Sequence, residues 1–177
     1  MEIYVIRHTT PDVAKGVCYG HSDIPVTHAF EEEVRSILSK IPQHIQIIYT
    51  SPLERCARLA AAIAAQSNVH IITDDRLKEL NFGDWEMQRW DTIEQTALMR
   101  WMDNYEEECC PNGESYLQLV SRVKNFLEAI ATSDHQTIAV VTHGGVIKSM
   151  KALIDKISLK DAMAYQSAYG EIIRFQV

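Results

Sequence analysis

Glu2-Ile3-Tyr4-Val5-Ile6-Arg7-His8-Thr9-Thr10 is the stretch that decides the fold. Four apolar residues, three of them β-branched, run straight into an arginine and a histidine. Such a run predicts a strand buried on both faces of a parallel sheet. In open α/β sheets, ligands bind just beyond the carboxyl ends of the strands. Arg7 and His8 therefore stand at the rim of a crevice. The pair suits an anion: a guanidinium fork grips a phosphate or carboxylate, and an imidazole serves as nucleophile or base.

Outward from that strand, residues 9–27 carry Pro11, Gly16, Gly20 and Pro25 among polar residues. This marks a long irregular loop, and loops of that length inside a compact domain tend to carry function. Thr27 as N-cap, Glu31, Glu32 and Glu33, and the stripe Phe30, Val34, Ile37, Leu38 and Ile41 predict a helix that Pro42 closes. Residues 45–50 predict a second strand. Ser51 at its end is the expected cap of an alanine-rich helix over residues 53–66, with Pro52 at the first position. Residues 69–72 read as a short strand, residues 77–86 follow neither period, and residues 88–105 read as a helix carrying Trp90, Ile93, Leu98, Trp101 and Met102. After the turn at Pro111-Asn112-Gly113, Ser115 caps a helix to about Ala131. A strand over residues 137–142 ends at His143-Gly144-Gly145, a helix follows from Val146 to about Ile157, and residues 171–176 form a last strand. The alternation, without repeat or linker, predicts one domain over residues 1–177: α/β, three-layer α/β/α, with a mostly parallel sheet.

A chain of 177 residues is long enough to bury one such core. The net charge of -7 and the lack of a basic run argue against nucleic acid as a partner. An anionic substrate must then be held by a few specific Arg and His residues. No apolar run approaches the length of a membrane span. The amino terminus enters a strand without the basic region and cleavage site of a signal peptide, so a cytoplasmic protein is expected. Cys18, Cys56, Cys109 and Cys110 have no C-x-x-C spacing and are expected to be reduced thiols. Nothing in the sequence specifies an oligomeric state.

Three strands end in groups of one chemical character: Arg7-His8, Ser51 with Arg55 one turn into its helix, and His143-Gly144-Gly145. As parallel neighbours they would bring two guanidiniums, two imidazoles and two helix amino termini to one spot. Free N–H groups and partial positive charge at each helix start make an anion site. Gly144 lets the backbone approach a ligand closely. Arg7, Arg55, His143 and Gly144 are thus the expected phosphate-binding set, with His8 as nucleophile and Glu79, in the irregular segment, as proton donor to the leaving oxygen. Asp84 and Glu86 compete with Glu79 for that last role. No aspartate cluster or His-x-His arrangement suggests a metal, so neither metal nor cofactor is expected. No G-x-G-x-x-G follows the first strand, which argues against a dinucleotide-binding domain.

Arg7-His8, Ser51-Pro52-Leu53-Glu54-Arg55, Leu77-Lys78-Glu79 with Phe82-Gly83-Asp84-Trp85-Glu86, Gly113-Glu114-Ser115 and Val141-Thr142-His143-Gly144-Gly145 together resemble the histidine phosphatases, the phosphoglycerate-mutase-like superfamily. The motifs fall in the family's order over nearly the whole chain. Phe82-Gly83-Asp84-Trp85-Glu86-Met87 resembles the α-ribazole phosphatase branch. The resemblance implies a phosphoglycerate-mutase-like fold and a metal-independent phosphomonoesterase. His8 would carry the phosphoryl group, Arg7, Arg55 and His143 would hold its oxygens, and Glu79 would donate the proton. This chain has Thr9-Thr10-Pro11 where the family usually has Gly-Glu, and Leu59 where a Thr is common. The expected partner is a small-molecule phosphate monoester, α-ribazole 5′-phosphate being one. The alternatives are a phosphoglycerate mutase-type enzyme, a broad-specificity sugar-phosphate phosphatase, and a non-catalytic phospholigand-binding module. Loop 9–27 and residues 82–115 are expected to line the leaving-group side.

Overall fold

A computed structural model describes all 177 residues. The opening stretch forms β1 (Glu2–Arg7), followed by β2 (Ile47–Thr50), β3 (His70–Thr73), β4 (Thr137–Thr142) and β5 (Ile172–Gln176). They make one five-stranded sheet in the order β3-β2-β4-β1-β5. β1, β2, β3 and β4 run parallel, and β5 is antiparallel to β1. All six residues of the central strand β4 are buried. Its neighbours on either side are β1 and β2, so the three strand ends that carry Arg7-His8, Ser51 and His143 are adjacent.

Successive side chains of a strand point to opposite faces, and here both faces are covered. Ile3, Val5, Ile47, Ile138 and Val140 pack against α4 (Tyr116–Ala131) and α5 (Gly144–Ile154). Ile6, Ile48, Ala139 and Val141 pack against α1 (Phe30–Leu38) and α2 (Glu54–Ser67). This is the three-layer α/β/α arrangement. Each fully buried aliphatic side chain contributes about 1.5–3 kcal/mol, which fixes the strand register and with it the rim.

Several boundaries differ from the sequence reading. Thr27 does not cap α1; its hydroxyl accepts from the Ala29 N–H at 3.3 Å within a turn, and the helix starts at Phe30. Ser51 does not cap α2 either. The loop residue Asp23 takes the N–H of Glu54 at 2.7 Å, while the Ser51 hydroxyl accepts from the Leu53 N–H at 3.4 Å and lies 2.8 Å from His143 Nε2. The predicted helix 88–105 shrinks to α3 (Gln95–Asp103), capped by the Glu94 carboxylate. Residues 87–90 instead pair with loop 9–27, through Cys18 N–H to Gln88 carbonyl, Met87 N–H to Cys18 carbonyl and Trp90 N–H to Gly16 carbonyl. Tertiary hydrogen bonds here outweigh a local helical pattern. A short α6 (Leu159–Met163), capped by Ser158, lies in a stretch assigned to no element. Ser115, by contrast, forms the expected cap, with a full capping box to Gln118.

Candidate active site

His8 follows β1 directly, and its N–H bonds to the Thr142 carbonyl of β4 at 3.0 Å. Its ring Nδ1 lies 2.7 Å from the Thr9 carbonyl oxygen. A carbonyl can only accept, so Nδ1 carries the proton and Nε2 is the bare nitrogen. Burial, with the Arg55 and Arg7 charges adding to it, lowers the His8 pKa to about 3. The contact uses the Thr9 backbone; the Thr9 side chain is buried and its hydroxyl has no hydrogen-bond partner.

His143, at the end of β4, is wholly buried with its ring centroid 5.1 Å from that of His8. Its Nε2 lies 2.8 Å from the Ser51 hydroxyl and 3.4 Å from Cys56 Sγ. Burial and the nearby His8 and Arg55 hold its pKa well below the ordinary histidine value. Arg55 is 0% exposed yet has no carboxylate partner. Its two terminal nitrogens donate to the carbonyls of Ser22 (2.9 Å) and Gly20 (2.6 Å). Arg7 donates to the Ser167 carbonyl and lies 4.2 Å above the Tyr169 ring. The Nε atoms of both Arg7 and Arg55 are buried without a hydrogen-bond partner. Buried polar donors are nearly always satisfied, so this pair is set up for an acceptor from outside the chain.

Glu79 sits against the amino terminus of α5. Its carboxylate accepts from the Gly145 N–H at 3.0 and 3.1 Å and from the Leu80 N–H at 2.9 Å. The absence of a side chain at Gly145 makes this seat possible, because an added Cβ would stand 2.2 Å from Glu79 Oε1. At Gly144 the nearest atom to such a Cβ is the Arg7 guanidinium carbon at 3.6 Å, an ordinary contact. The two glycines therefore differ in what they make possible, and α5 begins on them, two residues before Val146.

Arg7, His8, Glu79 and Gly144 line a cleft of about 230 Å³ together with Tyr19, Phe82, Trp90, Tyr116 and Lys148. Arg55 and His143, also expected to bind phosphate, are wholly buried and do not line it. Of the two segments expected on the leaving-group side, the first contributes Val17 and Tyr19 and the second Phe82 and Trp90. Trp85 packs instead with Cys18, Ile93, Leu98 and Cys110. Asp84 is exposed, and its carboxylate accepts from Asn112 at 2.8 Å. Glu86 is a loop staple: its carboxylate takes the N–H groups of Gly20, His21, Ser22 and Phe82 at 2.9–3.1 Å and the Ser22 hydroxyl at 2.6 Å. That holds the carbonyls to which Arg55 is bound.

Sequence reasoning missed Lys148 and Arg122. Lys148 lies one turn after Gly144 and on the same helix face, a spacing that could have pointed to it. Arg122 donates to the carbonyls of Arg76, Lys78 and Glu79 at 2.6–2.7 Å and pairs with Glu114 at 2.9 Å, so it clamps the irregular segment that presents Glu79. No local pattern marks it. All four cysteines are free. No group of three or more His, Cys, Asp or Glu side chains is placed to hold a metal ion, and no helix is long and apolar enough to cross a membrane.

The chain is 27% identical over 158 residues to the adenosylcobalamin/alpha-ribazole phosphatase of Escherichia coli, covering 86% of this chain and 78% of the relative. It is 30% identical over 112 residues to phosphoserine phosphatase 1 of Hydrogenobacter thermophilus, covering 61% of this chain and 53% of that protein. The crystal structure of the alpha-ribazole phosphatase from Shigella flexneri superposes with a TM-score of 0.91 at 21% identity, covering 100% of this chain and 91% of that one. The sequence profile of the histidine phosphatase superfamily (branch 1) matches residues 3–177, and the chain belongs to that superfamily.

Proposed function

We propose that the protein is a metal-independent phosphomonoesterase that passes the phosphoryl group through His8. The observation that carries this reading is the buried His8, its Nδ1 proton committed to the Thr9 carbonyl and its Nε2 bare, beside two guanidiniums with unpartnered Nε atoms. In the first step Nε2 attacks phosphorus and the ester P–O bond breaks. Glu79 gives its proton to the departing alkoxide. Arg7, Arg55, His143 and the Gly144 backbone hold the phosphoryl oxygens. In the second step Glu79, now a carboxylate, takes a proton from water as that water attacks the phosphohistidine. Inorganic phosphate leaves and both groups return to their starting states. The cationic and donor groups supply the charge stabilisation that a metal would otherwise give.

The substrate is a small phosphate monoester. α-Ribazole 5′-phosphate is the specific candidate, supported by the aromatic walls Tyr19, Phe82 and Trp90 and by the likeness to α-ribazole phosphatases. The test is a phosphatase screen with a chelator present, over α-ribazole 5′-phosphate, 3-phosphoglycerate, O-phosphoserine, sugar bisphosphates and a chromogenic aryl phosphate. Turnover to inorganic phosphate is expected. No turnover of any compound would leave a phospholigand-binding module. Transfer to a second alcohol from a bisphosphorylated primer would make the protein a mutase.

A further inference from the structure

Beside the phosphate cleft lies a second cavity of about 420 Å³, lined by aromatic and aliphatic side chains with no charged residue among them. Phe82, Trp90 and Tyr116 border both spaces. α3 contributes Leu98, Trp101 and Met102, which fall at i, i+3 and i+4 on one face, and α6 contributes Met163. Trp101 lies 6.5 Å from Trp90 with the two rings near parallel, and 6.1 Å from Phe82 edge-on. Its indole Nε1 is buried with no hydrogen-bond partner. Met102 is 60% exposed at the rim. The volume falls in the roughly 300–1,000 Å³ range of ligand sites. Leu98 also packs with Trp85, but no role described above accounts for the exposed Met102 on this face.

We propose that this annexe binds the leaving group, and that the substrate is a phosphate monoester whose alcohol carries a flat apolar ring system. This rests on the reading of the His8 cleft as the phosphoryl site. The reasoning is one of complementarity. Charged groups, Arg7, Glu79 and Lys148, line the cleft, and none lines the annexe. A polyhydroxylated or acidic leaving group placed there would bury polar atoms without partners, which is costly. A planar ring would face Trp90, Trp101 and Phe82, whose faces and edges suit stacked or edge-on contact. Met102 and Met163 can adapt to its outline.

The test compares esters of matched reactivity: α-ribazole 5′-phosphate against ribose 5-phosphate, and 2-(1-naphthyl)ethyl phosphate against ethyl phosphate. In each pair the phosphorylated alcohol is primary and only one member has the ring. Wild-type kcat/KM is expected to favour the ring-bearing member by roughly 100-fold, the order expected from burying one ring. Met102→Glu places a charge at the rim without disturbing the core, and should cut that ratio at least tenfold. A ratio within about threefold of unity in the wild type, or a ratio unmoved by Met102→Glu, would overturn the annexe. Failure to hydrolyse either member of both pairs would instead count against the phosphatase reading itself. A second readout needs no turnover: 2-(1-naphthyl)ethanol should alter tryptophan fluorescence, and the change should be lost in Met102→Glu.

Discussion

Replacing Gly145 with alanine removes the seat of Glu79 while leaving the fold intact. The added Cβ would stand 2.2 Å from Glu79 Oε1 and 3.2 Å from Leu119 Cδ2. The first atom is the end of a flexible side chain, so the carboxylate moves and the helix stays. What is lost is the bond from the Gly145 N–H, now 3.0 and 3.1 Å from the two carboxylate oxygens. A hydrogen bond to a charged group contributes about 1.5–3 kcal/mol. Expressed in the transition state, that corresponds to a fall in kcat of roughly 10- to 150-fold. Alanine favours a helix over glycine by about 0.5–1 kcal/mol, which offsets only part of that loss, so the melting temperature should fall by no more than a few degrees. The control is Gly144→Ala, where the nearest atom to the new Cβ is 3.6 Å away and the backbone N–H is kept. Its kcat should exceed that of Gly145→Ala by tenfold or more. The assay is steady-state release of phosphate from an alkyl phosphate, which needs a proton on its leaving oxygen, with circular dichroism as the fold control. If Gly145→Ala kept the wild-type kcat, Glu79 could not act from the position the structure gives it.

Glu86→Gln replaces an acceptor of five hydrogen bonds with a group that turns a donor toward N–H groups; denaturant unfolding should show a loss of about 2–4 kcal/mol. The Glu86 carboxylate is held below its ordinary pKa, because the bonds from Ser22, Gly20 and His21 outweigh its burial. Its stabilisation is therefore present above the unfolded glutamate pKa, about 4.3, and is lost as pH falls through the lower folded value, a window that Glu86→Gln should erase. Arg122→Met breaks the clamp on Arg76, Lys78 and Glu79 and removes the ion pair to Glu114; a loss of about 2–4 kcal/mol and a fall in kcat of at least tenfold with little change in KM are expected. The lowered pKa of His8, about 3, means the free enzyme keeps an unprotonated nucleophile through mild acid. Between about pH 6.5 and 3 the unfolded chain binds the proton more readily, so stability falls with pH there, while kcat/KM for an alkyl phosphate should show no histidine limb near pH 6.5 beyond the titration of the phosphate itself.

The rim was legible because strands buried on both faces leave a strong mark. Ile3 to Ile6 and Thr137 to Thr142 have no polar interruption in their cores, and the polar groups that follow them are fixed in place by chain continuity alone. Likewise Ser115 announced its helix through a cap formed by residues three apart. Contacts between distant segments were not legible. Residues 88–94 carry apolar residues at helical spacing, yet their backbone is used by Gly16 and Cys18, seventy or so residues earlier. Ser51 carries every local sign of a helix cap, but Asp23 takes that task and the hydroxyl turns to His143. Glu86 reads as a possible acid from its neighbours in sequence; only the fold brings loop 20–22 onto its carboxylate. Arg122 sits on an otherwise ordinary amphipathic helix, and nothing local distinguishes a clamp from a solvated charge.

The most direct measurement is the site of phosphorylation after rapid mixing with a substrate and a quench in base, which preserves phosphohistidine. Mass spectrometry is expected to find one phosphoryl group, on His8, labile to acid and absent from the His8→Ala protein. A phosphoryl group on any other residue, or a label of the same acid lability persisting in His8→Ala, would contradict the account.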